Sequence, residues 1–235
     1  MPLTWDFGTY RFASFGGADR RLPEQRRNKR HADAMDTKMI KTVGEHWVCA
    51  TLARYGWAPA LTRDGLERTD ILAVNTVVTN RPVIEMQVKT ASQRGQATNW
   101  LLGTKAQLLA RSEHEWFALV ILPELPAEPR AFVVPRDHLA AATWIEHKNW
   151  LTDTSVPPGT RNAGLDQARI SQSVWRGYEG RWDLLLTPTP EVPVLLPTEL
   201  LALTERVGLP PGHPWHQGFP PWPGPVDEVL GTSSV

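Results

Sequence analysis

The stretch Pro82–Thr90, PVIEMQVKT, limits most strongly what this chain can fold into. Apolar Ile84, Met86 and Val88 alternate strictly with polar Glu85, Gln87 and Lys89. A period of two belongs to a β-strand with one face on a core, because a helix would scatter the same residues around its axis. The strand therefore lines up an acid, an amide and an amine on one face. Before it, Ala58–Thr62 and Asp70–Val78 read as strands separated by the turn-like RDGLERT, and Met39–Tyr55 reads as a helix stopped by Gly56. After it, the pattern predicts a loop over Ser92–Asn99, a helix over Gly103–Arg111, strands over Trp116–Pro123 and Arg130–Pro135, and an amphipathic helix over Arg136–Trp150. The order α-β-β-β-α-β-β-α predicts an α/β (α+β) fold with a mixed central β-sheet flanked by helices.

Composition changes at both ends of this core. Met1–Thr37 is polar and basic, without sustained periodicity, and reads as a low-order arm. Within it RRLPEQRRNKRH sets six Arg and Lys against the single acid Glu24, which suits either a phosphate backbone or a solvated tail. Leu151–Leu186 reads as a loop and a short closing element, giving a domain over 38–186. Residues 187–235 form a Pro/Trp-rich C-terminal extension with one helix expected over Pro197–Val207. Its remainder is expected to be extended or irregular, in polyproline-like segments able to dock into aromatic grooves.

The net charge is zero, so the overall balance neither supports nor excludes a nucleic-acid partner. Cys49 is the single cysteine, which removes an intramolecular disulfide framework and a multi-cysteine metal site. No apolar run is long enough for a bilayer and no signal-peptide pattern opens the chain, so a reducing cytoplasm and no membrane are expected.

Glu85, Gln87 and Lys89 have company upstream. Asp70 begins its strand, with its carboxylate at the strand's start. Glu45 lies on the first helix, with Val48, Cys49 and Leu52 at i+3, i+4 and i+7, at the edge of the stripe that faces the sheet. A free carboxylate there is costly, so this gathering of charge calls for a reason. Phosphodiester hydrolysis offers one. Its transition state gathers negative charge on oxygen, which a hard divalent cation held by carboxylate and carbonyl oxygens neutralises. A nearby lysine orients the attacking water or contacts the phosphate. Asp70, Gln87, Lys89 and Glu45 suit these tasks. The competing readings are a surface strand whose polar face meets only water, and a structural ion pair of Glu45 with Arg54 or Arg63.

The run GEHWVCATLARYGW, then RTDILAV, then VIEMQVKT resembles the PD-(D/E)XK nuclease superfamily in its Q-x-K variant, among bacterial relatives of Holliday-junction resolvases. The resemblance implies a restriction-endonuclease-like core and a Mg²⁺-dependent endonuclease acting on DNA, or less often RNA, with Mn²⁺ able to substitute. It implies Glu45, Asp70, Gln87 and Lys89 as the catalytic set and Asp70 with Gln87 as metal ligands. Thr69 stands where the family name has proline, and Gln87 replaces an acid, a loss that Glu85 on the same face can offset as a further ligand. Many members work as homodimers. The rival reading is a nuclease-fold module that binds nucleic acid or a protein without cutting.

Arg63, Arg68, Arg94 and Lys105 flank the set and can hold phosphates, although any one of them is also an ordinary solvated charge. Trp47 and Trp57 read as core, and Trp100, next to a polar loop, as the more open candidate for base stacking. His213 and His216 are set among prolines that forbid a ligand-aligning helix, so a zinc site is not expected.

Overall fold

A computed structural model describes residues 36–62, 66–93 and 98–225. The basic run 20–31, Arg63 and Arg94 lie outside the described residues.

Helix α1, Thr37–Arg54, buries Gly44, Val48 and Leu52, a stripe spaced by four. Gly56 ends it at φ 79°, a left-handed turn that glycine adopts without steric cost. The chain then forms β1 (Trp57–Leu61), β2 (Ile71–Asn75) and β3 (Val83–Ser92) as an antiparallel meander. A short β4 (Asn99–Leu101) precedes β5 (Glu115–Leu122), which runs parallel to β3, and β6 (Arg130–Pro135) returns antiparallel to β5. The main sheet is thus five-stranded and mixed, in the order β1-β2-β3-β5-β6. Every residue of β5 is buried, as a central strand covered on both faces requires. Helix α2, Arg136–Leu151, follows β6 without a loop. Strand β7 (Arg169–Ser171) pairs with β4 in a separate two-stranded sheet. Helix α3 (Thr198–Val207) rests against α2. The mixed α/β class with helices flanking a mixed sheet is as the sequence predicts.

Three elements differ from expectation. The expected helix over Gly103–Arg111 is a turn closed by Ala106 N–H to Gly103 O and Gln107 N–H to Thr104 O. Gln107 explains the stop, because its Nε2 donates to the Leu102 and Leu165 carbonyls instead of projecting from a helix. Strand β2 ends at Asn75, three residues early, because Asn75 Oδ1 accepts the amides of Val77 and Val78 and turns the chain. Leu151–Leu186 closes through 3₁₀ turns around β7 rather than through one element.

The tail carries the expected helix and is otherwise irregular, but it is far from peripheral. Val192, Val194, Leu195, Leu196, Leu200, Leu209 and Trp215 are buried in one cluster with the sheet. Trp222 Nε1 donates to the Leu196 carbonyl, so the proline-rich strap is pinned by its own tryptophan.

Candidate active site

The strand register assembles the site. Ile71 pairs with Met86 and Leu72 with Glu85, so the next step of the ladder sets Asp70 opposite Gln87, and Asp70 N–H donates to Met86 O at 2.9 Å. On the other side of β3, Glu85 pairs with Glu115, Gln87 with Phe117 and Lys89 with Leu119. Glu85, Gln87 and Lys89 are half-buried while Ile84, Met86 and Val88 are buried, as their alternation predicts.

Asp70 is held from behind and contacted from the side. Its Oδ2 accepts the Val88 amide at 2.8 Å, and its Oδ1 lies 3.6 Å from Lys41 Nζ. The same ammonium lies 3.3 Å from Glu45 Oε1. Both carboxylates are largely buried, at 15% and 20% side-chain exposure, whereas Lys41 is 57% exposed. Burial pulls the Lys41 ammonium down, but Asp70 and then Glu45 outweigh it, and its pKa ends above the usual lysine value. Two carboxylates this close repel unless a cation joins them. Glu45 is therefore in an ion pair, with Lys41 rather than with Arg54.

Lys89 has its pKa lowered, chiefly by burial. Asp70 opposes the shift, and the charges of Lys41 and Arg136 add to it. Its backbone carbonyl accepts Trp100 Nε1 at 3.0 Å, and Trp100 is itself buried edge-on against Phe132. Trp100 is thereby core and not an open stacking platform. Trp57 is buried too, and Trp47 meets Trp182 edge-on. Glu85 accepts the Thr69 hydroxyl at 3.0 Å, which ties it to the segment just before Asp70.

Behind Gln87 stands a charged group that sequence reasoning did not anticipate. Arg136, the first residue of α2, is 1% exposed, with its guanidinium 4.5 Å from the centre of the Phe117 ring. Its Nη2 donates to Gln87 Oε1 at 3.0 Å. Its Nε lies 2.6 Å from Glu115 Oε2, an ion pair by distance although the angle is too poor for a hydrogen bond. Arg68 Nη2 reaches the same carboxylate oxygen at 2.9 Å, and the Arg111 amide donates to Oε1 at 2.7 Å. Burial, then the neighbouring Arg68, pushes Arg136 down to about 10 against the pull of Glu115, so it stays charged at neutral pH. Arg68 adopts φ 72°, an uncommon conformation for a non-glycine residue, at the bend that leads into Thr69 and Asp70. Its guanidinium is committed to Glu115 and the Leu109 carbonyl, and Lys105 points to Glu67 at 3.8 Å from an exposed position.

Two signals for the unanticipated residues were in the sequence. A basic residue in the first turn of a helix opposes the helix dipole, so Arg136 needed a local anion. Lys41 stands four residues before Glu45 on one helix face.

Among the described residues, no group of three or more His, Cys, Asp or Glu is placed to hold a metal ion. The pair Glu45 and Asp70 nevertheless fits a cation, because one ammonium already contacts both. Gln87 as placed does not join them through its oxygen, which faces the Arg136 guanidinium. His213 is buried and used locally, with Nε2 3.0 Å from the Asp137 carbonyl and Nδ1 accepting the Trp215 amide. Burial raises the Cys49 thiol above its usual range, with Glu45 adding to the effect, which suits a filler and not a nucleophile. No helix among the described residues is long and apolar enough to cross a membrane.

Compared with known proteins, the chain matches no family model, no curated protein and no solved structure. The class that fold and site define is a mixed α/β domain in which a largely buried acidic pair, Glu45 on helix α1 and Asp70 at the entrance to β2, lies near Lys89 on β3.

Proposed function

We propose that this chain is a Mg²⁺-dependent endonuclease that hydrolyses phosphodiester bonds of DNA on a restriction-endonuclease-like core. One observation carries the reading: the carboxylates of Glu45 and Asp70 share a single cation, with Lys89 in electrostatic range of Asp70. The element order supports it, since a helix acid, an acid at the start of one strand and a lysine on the next converge at one sheet end. Asp70 and Glu45 would hold the ion, and Mn²⁺ can take its place. The bound ion supplies Lewis-acid stabilisation of charge developing on the phosphate oxygens. Lys89, anchored on β3, presents its amine to the attacking water or to the phosphate. Val88 N–H fixes the Asp70 carboxylate, so the acid need not reorganise as it works.

The test is cleavage of supercoiled plasmid, linear duplex, single-stranded DNA and RNA with Mg²⁺ or Mn²⁺, comparing wild type with Asp70→Asn. The expected result is metal-dependent nicking of DNA that drops about 100-fold or more in the variant. Cleavage surviving the substitution overturns the site. A second reading, a module that binds nucleic acid without cutting, is favoured by Lys41 already filling the acidic pair. It is the conclusion if DNA is bound but never cut under any metal.

A further inference from the structure

The Gln87–Arg136 contact fixes more than a distance. A guanidinium carries five donors and no acceptor, so only the carbonyl end of the Gln87 amide can face it. Turning the amide over would set N–H against N–H in a buried setting, where an unmade hydrogen bond is costly. Arg136 is itself buried, with its guanidinium over the Phe117 ring and ion-paired with Glu115, which Arg68 and the Arg111 amide hold in turn. Its Nη2 also approaches the Arg68 carbonyl at 3.4 Å, while Nη1 has no partner. The orientation of one half-buried amide is thus set by a chain of buried charges. The end left available on the face shared with Asp70, Glu85 and Lys89 is Nε2, which has no protein partner among the described residues.

From this geometry we infer that Gln87 acts as a hydrogen-bond donor to an anionic oxygen of the substrate phosphate and is not a metal ligand, and that Arg136 is the positioning residue that enforces this role. The inference rests on the nuclease reading above. It accounts for glutamine where the family pattern has an acid. A carboxylate at 87 would be drawn into an ion pair with Arg136 and would offer no donor to a phosphate. A carbonyl shared between Arg136 and a divalent ion would bring two cations onto one oxygen. The amide satisfies the guanidinium with its oxygen and keeps two N–H groups for an anion. Lys89 and Gln87 then form a donor pair on one strand face, and the ion belongs to Glu45 and Asp70.

The experiment has a binding arm and a kinetic arm. Calorimetric titration with Mn²⁺, without DNA, compares wild type, Asp70→Asn and Gln87→Met, the last removing both amide ends at similar volume. The expected Mn²⁺ dissociation constant is unchanged within about twofold in Gln87→Met and weakened about tenfold or more in Asp70→Asn. In cleavage, Gln87→Met is expected to lower kcat/KM for DNA by about 10- to 100-fold, the range of one hydrogen bond to a charged group, at an unchanged half-saturating Mg²⁺ concentration.

Because Arg136 is buried, its part is read by a double-mutant cycle with Arg136→Met. Its kinetic loss is expected to disappear in the Gln87→Met background, whereas a merely structural role would cost the same in both. Equal losses in the two backgrounds overturn the positioning role. Mn²⁺ binding that weakens about tenfold in Gln87→Met makes the amide a ligand and overturns the donor role. A wild type that neither binds Mn²⁺ nor cuts DNA overturns the nuclease reading itself and this inference with it.

Discussion

At the scale of single residues, the site is governed by which cation each acid holds. Lys41 is the replaceable one: it is more than half exposed, and its pairs with Glu45 and Asp70 are longer than 3 Å. An ammonium more than half exposed is well hydrated and screened, so an arriving divalent ion displaces it at little cost. Lys41→Met should therefore tighten Mn²⁺ binding by about two- to fivefold in calorimetry while leaving the fold intact. Weaker binding in that variant would mean the ion does not sit between Glu45 and Asp70. The neighbourhood of Glu45, Asp70, Gln87 and Lys89 was legible because alternation along a strand and one acid on an amphipathic helix fix faces. The trio Arg68, Glu115 and Arg136 was not. Its members are 47, 21 and 68 positions apart, and sequence carries no register between strands so distant. Arg68 illustrates the consequence, since a residue read as a candidate phosphate contact proves to be 5% exposed and bound to Glu115.

At the scale of elements, the site depends on how closely α1 lies on β3. A Cβ added to Gly44 would overlap the side chain of Thr90, so the glycine is what lets the helix touch the strand there. Glu45 is the next residue, and its reach to Asp70 is set by that approach. Gly44→Ala gains about 1 kcal/mol of helix propensity but forces an overlap that costs about 1–3 kcal/mol in a filled interior. Net destabilisation in urea denaturation is expected, with weaker Mn²⁺ binding, and Thr90→Ala added to it should recover part of both. An unchanged midpoint would show that α1 can shift freely. Sequence revealed α1 and β3 through their periods and β5 and β6 through short apolar runs. It placed α2 but not its surroundings, since α2 is buried at every position from His138 to Thr143 rather than along one amphipathic stripe. It overran β2 because Thr76, Val77 and Val78 continue a strand-like run, whereas the Asn75 side chain, by accepting the Val77 and Val78 amides, turns the chain away. It made a helix of Gly103–Arg111 because Ala106, Gln107 and the leucines favour one. The tie from Gln107 to Leu165, 58 residues distant, overrides that preference.

At the scale of the whole molecule, the tail and α2 share a buried polar centre that sets how the fold responds to pH. The proline-rich composition of the tail spoke for irregular backbone and said nothing of burial, because proline constrains conformation without deciding what its neighbours touch. Tyr178 links the two regions: its hydroxyl accepts the Leu195 amide at 2.9 Å and lies 2.7 Å from His138 Nδ1. With one proton to give, the hydroxyl donates it to His138, whose Nδ1 must then be unprotonated. Burial, reinforced by the neighbouring His213, depresses His138 to about 3, and burial depresses His213 as well. Both groups have folded-state values below the unfolded value of about 6.5, so the folded protein binds fewer protons than the unfolded chain once pH drops below that point. Their stabilising contribution is complete above pH ~6.5 and is lost as pH falls below it, for His138 progressively toward about 3, at about 1.4 kcal/mol per pH unit for each histidine that stays neutral. Urea denaturation between pH 7 and pH 4 should show stability falling with acid. His138→Gln, although less stable at pH 7 for want of the Tyr178 bond, should lose about one histidine's share of that slope. If the slope is the same in wild type and His138→Gln, this histidine already takes up its proton in the folded state, and its bond to Tyr178 is not what ties α2 to the tail.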